Sequence, residues 1–180
     1  MSTPREPEDV KLIISVFSME EKLINEVIYK LEKIFGRTDW ISPKLFFDRT
    51  KYYAKEMGWP LHRRFISFYA LIKPEGIADV KLATNALENG YLQDRKRKIN
   101  IDPGYISLER MILASGKNFT HRIYLSKGVY GDLTLIFQRG SFRPLEWTYN
   151  DYADPEMINY FNVVRAKYKK QIEDTKTTYL

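Results

Sequence analysis

The segment from Arg95 to Leu125 contains the side chains of this chain that are best suited to chemistry. Asp102 follows a short β-branched run, and a carboxylate at the end of a strand is well placed to act as a general base or to hold a basic substrate. His121 is one of only two histidines in the chain. An imidazole exchanges protons near neutral pH. Asp102 and His121 are therefore the two candidate catalytic residues.

The sequence around Asp102 also has a purely structural interpretation. Proline fixes φ and glycine supplies the left-handed conformation, so Asp102-Pro103-Gly104 predicts a turn after a short strand over residues 98–101. The two interpretations are compatible, because turns at strand ends often carry functional residues. We expect a turn here and leave a functional role for Asp102 open.

Strand alternation separates His121 from its neighbour. Residues 120–125 predict a strand, in which alternate side chains face opposite sides. His121 then lies on the apolar side as a hydrogen-bonded core histidine, whereas Arg122 and Tyr124 lie on the polar side as ligand-binding candidates. The arginine fork suits a carboxylate or phosphate. The alternative is a cross-strand ion pair between Arg122 and Asp132.

The remaining ligand-binding candidates are aromatic residues and polar residues near predicted strand ends. Trp147 and Tyr149 lie in an aromatic-rich run and could stack on a base or another flat ring. Alternatively, this run is a loop that packs its aromatic rings over the sheet. The other candidates are Asp48, Arg63, Arg64 and Tyr105.

Composition and motifs exclude several classes of site. The chain has no cysteine, so it has no disulfide, thiolate metal site or cysteine nucleophile. Its two histidines are far apart in sequence, and no spacing demands a metal ion, so no metal site is predicted. Ser115-Gly116-Lys117-Asn118 lacks the first glycine and the final Ser/Thr of a phosphate-binding P-loop. The cofactor, if there is one, is left unknown by the sequence.

The chain carries a net charge of +6 and has a pI of about 9.3. Its most basic run is Arg95 to Lys98, which is compatible with an anionic partner but is typical of a solvated surface. No apolar run approaches the roughly 18 residues of a membrane span, so no membrane partner is expected. The polar N-terminus is unlike a signal peptide, and we expect a cytoplasmic protein.

The order of predicted elements indicates an α+β fold. Strands interleave with two helices, and a meander and a C-terminal helix follow. Tight turns are expected at Gly128 and Gly140, and Asp154 is expected to cap the last helix. We expect a mostly antiparallel mixed sheet of about five to six strands with helices packed on one face. Residues 10–174 are predicted to form a single domain, with a disordered N-terminus over 1–9 and a frayed C-terminus over 175–180.

Short motifs spread along the chain carry a resemblance to a known family. They include Asn100 to Tyr105, His121 to Leu125 and Trp147-Thr148-Tyr149, together with Phe47-Asp48, Arg63-Arg64-Phe65 and Asp79 to Leu82. Over nearly its whole length the chain resembles an uncharacterised prokaryotic family, the domain of unknown function 4416. The resemblance implies little about function. A GTP-binding label used for some members is unsupported here, because the P-loop and an Asn-Lys-x-Asp motif are missing.

Three hypotheses follow for the function. In the first, the protein binds or turns over a small anionic metabolite or nucleotide at a pocket on the sheet face, with Arg122, Tyr124 and Asp102 as contacts. In the second, it is an RNA-binding module that uses basic and aromatic residues. We favour this hypothesis less than the first, and nucleic acid is therefore the less favoured partner. In the third, it is a non-catalytic assembly subunit. The sequence leaves open whether the protein is an enzyme, and its oligomeric state.

Overall fold

A computed structural model of the chain describes residues 2–47 and 53–178. It is an α+β structure that ends in a long helix, as predicted. The strands are β1 (Val10–Ser18), β2 (Thr38–Ile41), β3 (Leu45–Phe47), β4 (Leu61–Ile72), β5 (Ile99–Ile106), β6 (Arg110–Ser115), β7 (Arg122–Ser126), β8 (Val129–Gln138) and β9 (Ser141–Pro144). The helices are α1 (Glu21–Phe35), α2 (Ala54–Met57), α3 (Ile77–Asn89), which follows a 3₁₀ turn at Pro74–Gly76, and α4 (Pro155–Thr178).

The nine strands formed by the described residues join one sheet, so the prediction of five to six strands is wrong. The additional strands include β2 and β6. The former is four residues long and lacks apolar alternation, and the latter lies where the sequence pattern is ambiguous. Short strands of this kind are stabilised by pairing with a neighbour rather than by their own composition.

The sheet has the order β2-β4-β1-β5-β6-β8-β7, and every strand pair formed by the described residues is antiparallel. The outer edge of β4 carries β2 and β3 end to end, and the outer edge of β8 carries β7 and β9 in the same way. β1 lies in the middle of the sheet, and all nine of its residues are buried. A continuous apolar run is what a strand covered on both faces requires.

Helices cover both faces of the sheet, and the prediction that they pack on one face is wrong. Leu12, Ile14 and Val16 of β1 pack in a cluster with α1 and α3. Ile13 points to the opposite face and packs in a cluster with Phe161 and other residues of α4. The side that α4 covers is called the α4 face below.

Asp102-Pro103-Gly104 lies inside β5, so the predicted turn is wrong. β5 pairs with β1 along its whole length but with β6 only from Gly104 to Ile106. Pro103 therefore stands just before this second pairing begins, where the sheet does not need its missing N–H. Gly104 has a different role from a turn glycine, because a Cβ there would lie 2.4 Å from the carbonyl oxygen of Ile112. It permits the close approach of β6.

A buried lysine fixes α4 to the sheet. The Nζ atom of Lys11 donates to Asp39 Oδ2 at 2.9 Å, to the carbonyl of Phe68 at 2.9 Å and to Oε1 of Gln171 at 2.5 Å. All three donors of the ammonium are thereby used, as a buried charge requires. Burial lowers the pKa of Lys11, and the carboxylate of Asp39 opposes that shift.

Candidate functional site

Polar side chains interrupt the apolar surface of the α4 face near one end of the sheet. Ser15 of β1 is directly opposite Asp102 of β5. In the next row of the sheet, Phe17 of β1 lies between Arg63 of β4 and Asn100 of β5. Because residues in register share a face, these side chains converge on one surface. We call Ser15, Arg63, Asn100, Asp102 and Asp151 the sheet-face site.

Asp102 is the accessible carboxylate of this site. Its Oδ2 accepts a hydrogen bond from Asn100 Nδ2 at 2.6 Å, and its Oδ1 is 3.5 Å from the Nζ atom of Lys81. About a third of its side chain is exposed, at 35%. A neutral amide and a distant ammonium leave the carboxylate free to accept further hydrogen bonds, so Asp102 can hold a hydroxyl or act as a base.

A chain of hydrogen bonds from α2 orients Asn100. Arg97 donates through Nη1 to Asn100 Oδ1 at 2.8 Å, and through Nε and Nη2 to both carboxylate oxygens of Glu56 at 2.8 and 2.7 Å. Arginine only donates, so the oxygen of Asn100 must face Arg97 and its NH₂ group must face Asp102. The paired carboxylate raises the pKa of Arg97 and has its own pKa lowered. Arg97 is therefore not a solvated member of the basic run.

Arg63 provides a buried guanidinium whose hydrogen-bonding capacity is not fully used. Its Nη1 donates to Asp151, and its guanidinium lies 4.0 Å from the ring centre of Phe47 and 5.0 Å from that of Phe17. Only 5% of the residue is exposed. The Nε atom has no hydrogen-bond partner among the described residues. A groove of about 360 Å³ borders Arg63 and Asp151.

Two of the predicted ligand contacts face the other side of the sheet. Arg64 follows Arg63 in the strand and points to the α1 side, where it donates to the carbonyl of Ser42 at 2.9 Å and to Glu21 of α1 at 3.3 Å. Tyr105 packs against the cluster of α1 and α3. Its pKa is raised by burial. Asp48 lies outside the described residues.

A second polar group, the Asp132 cluster, is formed by His121, Arg122, Asp132 and Tyr149. Arg122 Nε donates to Asp132 Oδ2 at 2.8 Å, so the predicted alternative of a cross-strand pair is confirmed. His121 Nε2 lies 3.2 Å from the same oxygen. The expectation that the two side chains face opposite sides is wrong, because β7 begins at Arg122. His121 lies in the preceding turn, where alternation does not apply.

Four of the five N–H donors of the Arg122 guanidinium are used in this arrangement. Nη1 donates to Ser115 Oγ and to the carbonyl of Lys117, both at 3.1 Å, and Nη2 donates to the hydroxyl of Tyr149 at 2.8 Å. Arg122 therefore orders the cluster. Tyr124 lies apart from it and packs edge-on against Tyr130 at 5.4 Å.

Trp147 and Tyr149 are positioned by an interruption in the sheet edge. β7 pairs with β8 only up to Asp132, and β9 pairs with it only from Leu135. The two carbonyls between these points accept hydrogen bonds from Trp147 Nε1, at 2.8 Å, and from the hydroxyl of Thr148, at 2.6 Å. The loop thus completes the edge of β8 with side-chain donors, and Tyr149 follows next to Arg122.

Tyr53 lies beside the sheet-face site. Its ring centre is 5.0 Å from that of Phe17 and 5.6 Å from the guanidinium of Arg97. Its pKa is raised to about 12, mainly by burial and also by Asp102, and Arg97 and Arg63 oppose the shift.

Glu88 and Lys81 of α3 occupy the part of β5 that β6 leaves unpaired. Glu88 Oε1 accepts the N–H of Ile101, and Lys81 Nζ donates to the carbonyl of the same residue at 3.3 Å. The two side chains thus replace the missing neighbouring strand. Burial raises the pKa of Glu88 to about 7, although the N–H of Ile101 opposes the shift.

Glu88 is expected to make stability depend on pH near neutrality. Its folded-state pKa is about 7, above the ordinary 4.5, so the folded state binds the proton more tightly. The resulting stability is present below about pH 4.5 and is lost as the pH rises through about 7. Relative to Glu88→Gln, the wild type should therefore lose on the order of 1–3 kcal/mol of unfolding free energy between about pH 5 and pH 8. Urea unfolding at the two pH values measures this.

Glu56→Gln is the control for the Glu88 experiment. Arg97 lowers the pKa of Glu56, so this carboxyl is ionised throughout the same range in both states. Its removal should leave the pH dependence above about pH 5 unchanged. Equal pH profiles for the wild type and Glu88→Gln would contradict the prediction.

Several residues of the site were not singled out from the sequence. Ser15 is a polar residue within an apolar run, which is a detectable signal, and Asn100 precedes Asp102 by two positions and so shares its strand face. Asp151, Tyr53 and Glu88 carry no such signal, because only the tertiary fold brings them near the sheet.

The described residues contain neither a group of three or more His, Asp or Glu side chains that could hold a metal ion, nor a helix long and apolar enough to cross a membrane. The fold and the site define the chain as an antiparallel α+β domain with a polar site on one sheet face. The chain belongs to the family described as Domain of unknown function (DUF4416), whose model matches residues 8–168. No curated protein and no solved structure is significantly similar to it. The family description assigns no function.

Proposed function

We propose that the protein binds a small anionic metabolite or nucleotide at the sheet-face site. The observation that carries the proposal is the buried Nε atom of Arg63, which has no partner among the described residues. A buried N–H donor without an acceptor costs free energy, and a bound anion would recover it. Phosphate and carboxylate groups match the fork of a guanidinium.

The neighbours of Arg63 suggest further features of the ligand. Asp102 can accept a hydrogen bond from a hydroxyl group, and the buried hydroxyl of Ser15 lies on the neighbouring strand beside it, close to Tyr152. Asp151 compensates the charge of Arg63 and limits how much negative charge the site accepts. These groups favour a ligand with one anionic group and several hydroxyls, such as a sugar phosphate.

Calorimetric titration with inorganic phosphate and ribose 5-phosphate tests the proposal. Arg63→Lys keeps the charge beside Asp151 but removes the fork, so we expect affinity for both probes to fall about tenfold or more. Arg64→Lys, one residue along the strand and on the other face, is the matched control and should bind as the wild type does. Denaturant unfolding establishes that both variants fold. Equal affinity in Arg63→Lys and wild type, or no binding of either probe by the wild type, would reject the proposal.

A further inference from the structure

Three aromatic rings pack against one another at the edge of the sheet beside the Asp132 cluster. The ring of His121 is parallel to that of Trp147, with an interplanar angle of 8° and 5.1 Å between centres. Phe119 meets His121 edge-on at 5.3 Å. We call Phe119, His121 and Trp147 the aromatic shelf. Neither Phe119 nor Trp147 belongs to the buried hydrophobic clusters of the described residues.

The shelf is held rigidly although it is exposed. Trp147 is anchored by its Nε1 donation to the carbonyl of Leu133, and His121 by Asp132. Trp147 nevertheless remains 40% exposed and Phe119 62% exposed. One face of Trp147 lies on His121 and its N–H edge is bonded, so the opposite face is the one on which a ligand ring could stack. A ring whose orientation is already fixed loses little conformational entropy when a ligand stacks on it.

Polar groups surround the shelf. The guanidinium of Arg122 lies 6.0 Å from the ring centre of Phe119, and the hydroxyl of the exposed Tyr149 is bonded to Arg122. A flat ring stacked on Trp147 would therefore have hydrogen-bonding groups nearby. Exposed aromatic rings with arginine beside them are the means by which proteins bind unpaired bases.

The shelf is separate from the sheet-face site. Arg63 is on β4 and the shelf contacts β8, and these strands are four places apart in the sheet. At about 4.8 Å for each strand spacing, the separation is roughly 19 Å. A base on Trp147 and an anion at Arg63 would therefore be held by different strands of the sheet.

We propose that the aromatic shelf is a nucleobase-binding site, in which a purine or pyrimidine ring stacks on the exposed face of Trp147. The base is carried either by a free nucleotide or by single-stranded RNA. This assignment does not depend on ligand binding at Arg63.

Quenching of tryptophan fluorescence in the wild type, and calorimetric titration of the wild type and the variants, with adenosine, AMP and a ten-residue oligoadenylate test the assignment. We expect saturable quenching by adenosine and AMP in the wild type. Trp147→Leu removes the ring and should weaken binding by about tenfold or more, as base stacking on an aromatic side chain contributes. Trp147→Phe keeps a ring and should bind within a few-fold of the wild type. Trp59→Leu removes another exposed tryptophan, and should leave the affinity unchanged.

These measurements distinguish a free nucleotide from RNA as the carrier of the base. They also distinguish binding at the aromatic shelf from binding at the sheet-face site. Oligoadenylate that binds more than tenfold tighter than AMP, and weakens steeply with salt, identifies RNA. Similar affinities identify a free nucleotide. Ribose 5-phosphate lacks a base, so its binding should depend on Arg63 and not on Trp147. Equal affinity of Trp147→Leu and wild type for AMP and oligoadenylate, or no quenching by any base-containing probe, would overturn the assignment even if ribose 5-phosphate binds.

Discussion

Replacing Gly104 with alanine is expected to lower the free energy of unfolding by about 3 kcal/mol. The new Cβ would lie 2.4 Å from the carbonyl oxygen of Ile112 and 2.8 Å from Cδ2 of Leu113. The oxygen belongs to the backbone of β6, so relief requires the two strands to separate. Their pairing extends only over Gly104 to Ile106, which leaves few hydrogen bonds to resist that separation. Urea unfolding of the variant measures the loss.

Gly76→Ala is the matched control for Gly104→Ala. Gly76 has a helical φ of −69°, and no atom lies within 4 Å of an added Cβ. Its replacement should change stability by no more than about 1 kcal/mol, because alanine fits this conformation. If both variants unfold at the same urea concentration, the close approach of β5 and β6 is not what requires glycine at position 104.

Replacing Asp132 with alanine is expected to cost about 3–5 kcal/mol of stability. This carboxylate is 3% exposed and accepts hydrogen bonds from Arg122 and Thr134, with His121 also in reach. Its removal leaves the largely buried guanidinium of Arg122 without a counter-ion. Breaking one side of a buried pair is costly because the remaining charge stays desolvated. Urea unfolding of single and double variants measures this.

The double variant Asp132→Ala with Arg122→Met tests the cause. If desolvation of Arg122 dominates, the double variant should be more stable than Asp132→Ala alone. Asp79→Ala removes one partner of an exposed pair with Lys127, and should cost less than about 1 kcal/mol. If Asp132→Ala lowers the free energy of unfolding no more than Asp79→Ala does, the Asp132 cluster contributes little to the stability of the fold.

Some features of the fold that depend on neighbours in sequence were predicted correctly, although the turn at Asp102-Pro103-Gly104 was not. Gly128 and Gly140 were expected in tight turns, and both have a positive φ, of 75° and 82°. Asp154 was expected to cap the last helix, and its Oδ1 accepts the N–H of Glu156 at 2.9 Å. Capping and turn geometry involve residues only a few positions apart, so the sequence contains the information they need.

The candidate site was only partly predictable. Arg63 and Asp102 were named from the sequence, and both lie in the sheet-face site, whereas Arg64 and Tyr105 face the opposite side. Alternation assigns the faces within one strand, but it fails where the strand boundary is misplaced, as it was at His121. A shift of one residue moves every later side chain to the other face.

By itself the sequence determined the α+β class, the long buried strand β1, the N-cap of the last helix and the set of residue types available for chemistry. The tertiary structure alone decided the strand neighbours, and therefore which polar groups meet. The departure of β6 from β5 opens the edge that Glu88 and Lys81 fill. Pairing with β1 makes the expected Asp102-Pro103-Gly104 turn part of a strand. Pairing between distant strands depends on the packing of both sheet faces, which no local pattern encodes.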